Sequence, residues 1–477
     1  MSKRLLVGFV LLFLSACTIG PDYERPPVIS PGEWTVSYDT AADLIDSAWW
    51  QQFDDPIFDK LITKALINNL DLQAAVARVD QYLGQLRTTR AEYFPQINAS
   101  ASAARQDDTD TGLTLPAGPY NDYRGGLNAS WEIDLWGRVR RANEAVRAEL
   151  LASEAGRRSV LLTLVSNIAS NYIVLRGLDR QLEIAWETEQ TYAESLRIFR
   201  LRHKYGTVSM VEVSQVESEY EAAHQIIPKL ESQVAQREHL ISLLLGQNPG
   251  PIPRGKKIGD LTVPVIPAGL PAELLEQRPD IIQAEQALIA ANARIGVAKA
   301  LYFPRISLTG ALGTASIHSS KLFDADSKTW QIGGDVLAPI FTFGAIKGQV
   351  MTSEAAQREA LYRYRQSIIT AFSEVEDALV ATSKGRESQE AKQRQVRALK
   401  KYAQLAGYQY DIGTTSYLQV LDANRSLFSG QLDYIQVQTE ALTSLVDVYR
   451  SMGGGWLDIV DPQKMSEKTT EGQQVGG

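Results

Sequence analysis

Apolar residues recur along this chain with two different periods. Leu161, Val165, Ile168, Tyr172 and Leu175 step by four and three, as do Ile368, Phe372, Val375 and Leu379. That spacing is the stripe of a helix lying side by side with others in coiled-coil packing. Elsewhere the period is two. Leu127, Ala129, Trp131, Ile133 and Leu135 alternate with the polar or small Gly126, Asn128, Ser130, Glu132 and Asp134. Ile97, Ala99, Ala101 and Ala103 alternate with Asn98, Ser100 and Ser102. Ile306, Leu308, Gly310 and Leu312, then Trp330, Ile332 and Val336, repeat the pattern further on. Such alternation predicts strands with one apolar face and one polar face.

Proline placement sets how far the helices run. Of 19 prolines, only Pro228 falls between Tyr120 and Asn248, and none falls between Ile340 and Asp461. A proline inside a helix costs about 3 kcal/mol. These tracts, rich in Ala, Leu, Glu, Gln and Arg, therefore predict long helices. The first runs from Arg138 to Lys204, about 100 Å at 1.5 Å per residue, and the second from Ile346 to Tyr410. Return helices follow at Met210 to Leu245, kinked at Pro228, and at Tyr417 to Met452. A compact core cannot bury a rod of that length, so other rods must flank it.

The two tracts are copies of one unit. Tyr93-Phe94-Pro95 with Ile97 returns as Tyr302-Phe303-Pro304 with Ile306, an offset of 209, and Asp71 returns as Asp280. Trp136-Gly137 returns as Phe343-Gly344, and Gly206-Thr207 as Gly413-Thr414, both at an offset of 207. A tandem repeat accounts for matches that keep their order and spacing. The first repeat is expected at 56–248, with strands at 96–105 and 124–135 and a helical hairpin at 138–246. A linker at 249–270 leads to the second, at 271–455, with strands at 305–316 and 330–340 and a hairpin at 345–453. An extended segment at 17–55 precedes them and a polar tail at 456–477 follows.

Composition removes most chemistry. The net charge of −8 argues against nucleic acid as a partner. One cysteine permits no internal disulfide, and four scattered histidines disfavour a metal site. No phosphate loop, nucleophile elbow, paired-histidine zinc helix or Cys-x-x-Cys is present, so an enzyme is not expected, nor any cofactor or metal. The N-terminus supplies a location instead. Lys3-Arg4, the apolar run Leu5 to Leu14, and Ser15-Ala16-Cys17 read as a signal peptide over 1–16. Leu14-Ser15-Ala16-Cys17 resembles a bacterial lipobox, which implies acylation of Cys17 and stable anchoring by several acyl chains. Thr18 in the next position favours the outer membrane.

The period-two segments are each about 10 residues, the length of a tilted transmembrane strand. Tyr93, Phe94, Trp136, Tyr302, Phe303, Phe341 and Phe343 sit where strands meet helices, which suits an interfacial aromatic belt. The linkers from Gln106 to Tyr123 and from His318 to Thr329 are polar and should face the exterior. Four strands cannot close a barrel, and an open edge cannot remain in hydrocarbon. Closed barrels of about 8 strands are filled by side chains, so three copies are the fewest that leave a lumen. The expected fold is thus mixed α and β, with a trimeric 12-stranded membrane barrel and a ring of twelve long helices.

Several motifs together resemble the TolC-like outer-membrane factors, in the lipoprotein branch that serves multidrug efflux. They are Cys17 with Ile19-Gly20-Pro21-Asp22-Tyr23, Trp49-Trp50 with Phe53, the repeated Tyr-Phe-Pro, Trp136-Gly137-Arg138, and Val420 through Leu427. The resemblance implies a homotrimer whose outer-membrane β-barrel continues into a periplasmic α-barrel. It also implies a periplasmic adaptor and an inner-membrane transporter as partners, the transporter proton-driven, of the RND type first of all, or ATP-driven. It places a periplasmic gate at Tyr410, Leu418 and Asp422, beside a turn holding Gly413, Thr414 and Gln419. Leu418 and Asp422 are i, i+4 and share a helix face, so three copies give a leucine ring and a carboxylate ring. Gln419 stands where some members carry a second carboxylate, so a weaker cation preference is expected. Val211 and Gln215, the first-repeat counterparts, lack that chemistry and read as packing or adaptor-facing residues. A protein-secretion duct, an open porin and a structural coiled-coil lipoprotein are the rival readings.

Overall fold

The structure, a computed structural model, describes residues 18–28, 34, 48–107, 119–264 and 274–453. Cys17, the signal segment 1–16 and the tail 456–477 lie outside the described residues. The chain divides into two compact units. One comprises residues 1–28, 77–154 and 283–366, the other 29–76, 155–282 and 367–477.

The elements follow the repeat. The first copy comprises α1 (Pro56–Asn68), α2 (Leu70–Ala91), β1 (Gln96–Gln106), β2 (Tyr120–Glu132), α3 (Arg138–Lys204), α4 (Met210–His224) and α5 (Ile226–Leu244). A single turn at Leu274–Gln277 opens the second, followed by α6 (Pro279–Ala300), β3 (Arg305–Ser316), β4 (Lys328–Leu337), α7 (Ala345–Asp411) and α8 (Tyr417–Ser451). Both long helices have 67 residues, as their freedom from proline predicts. The first return helix divides into α4 and α5 at Gln225, whose backbone stays helical at φ −63°, ψ −24°, which is the kink expected there. Pro228 cannot donate to the carbonyl four residues back, and its ring crowds that carbonyl.

In the first unit the four strands form one antiparallel sheet in the order β1-β2-β3-β4. Its register gathers the apolar positions on one face. Ile97 lies opposite Ala129, Ala129 opposite Gly310, and Gly310 opposite Ile332. Ala99, Leu127, Leu312 and Trp330 make the next row. Asn98, Asn128 and Gln331 occupy the other face, where the Asn128 amide donates to Ser100 Oγ at 2.7 Å. Ile97, Leu127, Leu312, Trp330, Ile332 and Val336 are all exposed, up to 81% for Ile332. Strand ends differ from expectation. β2 begins at Tyr120 rather than 124 because Tyr120 pairs with Gln106, and it ends at Glu132 rather than 135 because Asp134 turns to cap α3. β4 spans 328–337 rather than 330–340, since Pro339 has no N–H to extend the ladder.

Residues 18–25 cross this unit as an extended strap. Ile19 N–H donates to Trp136 O at 3.1 Å, and buried Arg141 holds Asp22 at 2.6 Å. The Asn292 amide donates to Pro21 O at 2.9 Å, and the Tyr23 hydroxyl to Glu285 at 3.0 Å.

The second unit carries the main core. Leu161, Val165, Ile168, Tyr172 and Leu175 are all buried, as their spacing requires. Tyr172 stacks on Phe58 at 5.1 Å and Trp49 on Tyr449 at 4.8 Å. Burial pushes the Tyr449 hydroxyl up to about 12, so it packs as a neutral group. Asp55 begins α1 with the sequence signature of a cap followed by proline. Its carboxylate accepts from Ile57 N at 2.9 Å and Phe58 N at 3.3 Å. It also accepts from the Tyr172 hydroxyl and from Lys256 N, both at 2.9 Å. Gly255 passes so close that a Cβ there would stand 2.0 Å from the Asp55 carboxylate. A glycine is required for the linker to lie across the buried acid.

Candidate functional site

Each long helix reverses through the same turn. Gly206 and Gly413 adopt φ +74° and +78°, which suits glycine and few other residues. Thr207 N–H donates to Arg202 O at 3.0 Å, and Thr414 N–H to Gln409 O at 2.9 Å, closing the two helix ends alike. The Thr414 hydroxyl repeats that bond to Gln409 O at 3.0 Å. The first turn then starts α4 with a full capping box between Ser209 and Glu212. The second starts α8 at Ser416, whose side chain makes no capping bond.

Tyr410 lies at the end of α7, where its hydroxyl accepts from Arg202 Nη1 at 2.7 Å. Its ring meets Tyr417 edge-on at 5.0 Å, and Tyr417 packs on Phe199 at 4.2 Å. Burial pushes the Tyr417 hydroxyl above its ordinary range, against an opposing hydrogen bond from Ser195. Tyr410 therefore ties the tip of α7 to the tips of α3 and α8. Leu418 is 57% exposed, and Asp422, one turn on, is half-buried. The two share an open groove with Gln215, Glu219, Tyr402 and Arg425. Arg425 Nη2 donates to Asp422 at 2.8 Å and its Nη1 lies 3.8 Å from Glu219, while the Tyr402 hydroxyl reaches Asp422 at 3.5 Å. Gln419 lines the same groove and accepts from Thr415. Val211 is 66% exposed, so it does not pack within the chain, whereas Gln215 faces Asp422's groove.

The expected site residues are thus brought together at one tip, with partners that the motifs do not reveal. Arg425 was legible as an i, i+3 partner of Asp422. Arg202 was not, because it reaches Tyr410 across 208 residues.

The aromatics expected where strands meet helices fall into two sets. Trp136 stacks on Phe303 at 4.9 Å and donates from Nε1 to Pro304 O at 2.7 Å. Tyr93 receives a bond at its carbonyl from Trp131 Nε1 at 3.0 Å. Phe94 and Phe343 are exposed, 67% and 90%, and Tyr302 is half exposed.

A sheet that is apolar on one exposed face, in a chain that also carries two 67-residue helices, marks the class of membrane channels. The chain belongs to the family described as outer membrane efflux protein, whose model matches residues 61–247 and 270–454, one match to each repeat. It is 35% identical to the cation efflux system protein CusC of Escherichia coli, over 95% of this chain and 99% of that protein. It is also 35% identical to the toluene efflux pump outer membrane protein TtgC of Pseudomonas putida, over 99% of this chain and all of that one. Among solved structures, the CmeC outer membrane channel of Campylobacter jejuni superposes with a TM-score of 0.87 at 27% identity, covering 95% of this chain and 98% of that one. The protein is an outer-membrane channel of an efflux system, and it is not an enzyme.

Proposed function

We propose that this chain forms a homotrimeric export duct, lipid-anchored at Cys17 and gated at its periplasmic helix tips. In this reading a periplasmic adaptor joins it to an inner-membrane transporter of the RND type, and small molecules are its cargo. One observation carries the reading. The sheet exposes an apolar face and, among the described residues, leaves the outer edges of β1 and β4 without a neighbouring strand, and unpaired backbone is not tolerated in hydrocarbon. Three copies supply twelve strands, enough to enclose water.

Leu418 and Asp422 form the gate, with Tyr410 as its latch. An exposed leucine ring closes a pore by dewetting, and a carboxylate ring favours cations. Arg425 lies within bonding distance of each Asp422, so the ring is partly neutralised and cation preference is weak. Thr18, which follows Cys17 in the chain, packs on Gly137, next to Trp136 of the aromatic belt. That position suits an anchor entering the membrane at the level of the belt. Relatives of equal identity are named for cations and for toluene, so cargo choice belongs to the transporter rather than the duct.

Planar-bilayer recording tests the gate. Wild-type trimers should conduct in small or rare steps, and Leu418→Ala with Asp422→Ala should open them several-fold. Cells carrying Asp422→Ala should admit large antibiotics normally excluded. Unchanged conductance and unchanged sensitivity, at normal trimer levels, would remove the gate from these residues.

A further inference from the structure

The internal repeat relates not only sequences but strand registers. Shifting β1 by 209 and β2 by 207 turns the pair Gln96–Ser130 into Arg305–Leu337, which is the observed β3–β4 pairing. The same shift applies to every rung that β4 retains. The operation that carries β1–β2 onto β3–β4 must carry β2–β3 onto the pairing of β4 with whatever strand follows it. That next strand is β1 of a second copy.

Building on the trimer proposed above, we infer that β4 pairs with β1 of the adjacent subunit in one fixed register, sealed by Phe343 seated on Phe94. Ala129–Gly310 becomes Val336 opposite Ala101 of the partner subunit, and Asn128–Ala311 becomes Asp335 opposite Ser102 of the partner subunit. The bond from Ile133 N–H to Ile306 O becomes one from Ile340 N–H to the carbonyl of Ile97 of the partner subunit. Trp136 on Phe303 becomes Phe343 on Phe94 of the partner subunit.

Three independent features agree with this seam. Near the helix end the lipid-face rungs it generates are apolar on both sides, Val336 with Ala101 of the partner subunit and Ala338 with Ala99 of the partner subunit, and on the other face Asp335 meets the polar Ser102 of the partner subunit, although nothing in the shift requires it. A register error of one residue would invert that match. Next, the residues it covers are those a single chain leaves bare: Ile340, Phe341 and Phe343 are 97%, 74% and 90% exposed, and Phe94 67%. Their first-repeat counterparts Ile133, Asp134 and Trp136 are already partly covered within the chain. Last, Phe343 holds φ at +50°. A bulky side chain persists in that region only where its surroundings over-determine it, and within one chain this ring is almost wholly bare.

The two junctions also differ in chemistry in the way that an internal joint and a subunit joint should. Glu132 and Asp134 bond to Arg138, Val139 and Arg140 at the first. Pro339 and Phe341 replace those acids at the second, with Ala345 for Arg138. The internal joint is held by charge, whereas the subunit joint, where strand meets helix, is apolar.

Disulfide trapping tests the register. Asp335 and Ser102 correspond to a non-hydrogen-bonded pair, where facing Cα atoms lie about 4.5 Å apart, within disulfide reach. The same residues within one chain are three strand spacings apart, about 14 Å, so any bridge joins two subunits. The double variant Asp335→Cys with Ser102→Cys should convert SDS-resistant trimers into covalent dimers and trimers on oxidation, reversibly with reductant. Asp335→Cys paired with Ser100→Cys or Ala104→Cys should link at least tenfold less. Phe343→Ala should lower the temperature at which trimers dissociate in SDS by several degrees, and Phe343→Trp should restore it. Preferential linking in a shifted register, or no linking in trimers that still conduct, overturns the seam and leaves the duct intact. Loss of trimers from the unmodified protein would instead overturn the duct itself.

Discussion

In the first repeat the chain satisfies itself, and in the second it leaves work for other surfaces. Phe58 and Tyr172 of the first lie in a large core with Trp49 and Phe53 of the preceding segment, a core to which the second lends Leu442, Val446 and Tyr449. The second packs only the smaller set Val375, Leu379, Leu445, Val448 and Met452 around itself. Leu379 stands where the first repeat has Tyr172. The first return helix is kinked at Gln225 and the second runs 35 residues without interruption. One tip has a capping box and the other has none. A single ancestral unit folds twice, and the difference shows which copy is free to move or to be covered.

The two repeats are also locked by opposite charges, and that contrast yields the largest expected effect. Asp55 is wholly buried and accepts four bonds, two of them from the buried residues Phe58 and Tyr172. Its counterpart lock is Arg278, buried, which donates to Asp280 and Glu374 at 2.7 Å and to Ser451 O at 2.9 Å. Burial opposes the Arg278 charge, yet these carboxylates outweigh it and raise its pKa. Both carboxylates stay about 40% exposed, so they rehydrate when the arginine is removed. Asp55→Ala should therefore cost about 4 kcal/mol and Arg278→Ala about 2 kcal/mol. Circular dichroism melts in detergent measure both. A larger loss at Arg278 would break the contrast.

The next effect is smaller and lies at the tips. Ser209→Ala removes a working cap and should cost about 1 kcal/mol, whereas Ser416→Ala removes a hydroxyl that caps nothing and should cost a few tenths. Amide exchange in the first turns of α4 and α8 reads each locally. Equal losses would mean that the second tip is as firmly set as the first, and the gate would then need another hinge.

How much of this was open to reading depends on distance along the chain. Helix length, the repeat and the two turns follow from proline, spacing and glycine, all local signals. Strand ends do not, because Tyr120 joins β2 only by meeting Gln106. The proposed gate residues were visible through their motif, but Arg202, which binds Tyr410, and Glu219, which pairs with Arg425, lie about two hundred residues away in the other repeat. Asp55 was half legible. A cap ahead of Pro56 is a plain helix start, while the burial that makes it critical comes from Tyr172 and Lys256.

The smallest effect compares one acid from each repeat. Burial first, then Asp55 and Asp54, pushes the Asp59 carboxyl above the ordinary range. Burial likewise raises Asp447, with Glu374 adding to the rise and Arg450 opposing it. A carboxyl raised in the folded state holds its proton longer there than in the unfolded chain. Its contribution to stability is present below the ordinary aspartate range and is lost as pH climbs through the folded value. Asp59→Asn should therefore stabilise the protein modestly at neutral pH, and the gain should vanish on acidification. Asp447→Asn should gain less, because it also deprives Arg450 of a partner at 3.3 Å. Melting temperatures across an acid titration resolve the pair. A gain at Asp447 that matched or exceeded the gain at Asp59 would show that the second repeat's acid is the more strained, reversing the order drawn from the two cores.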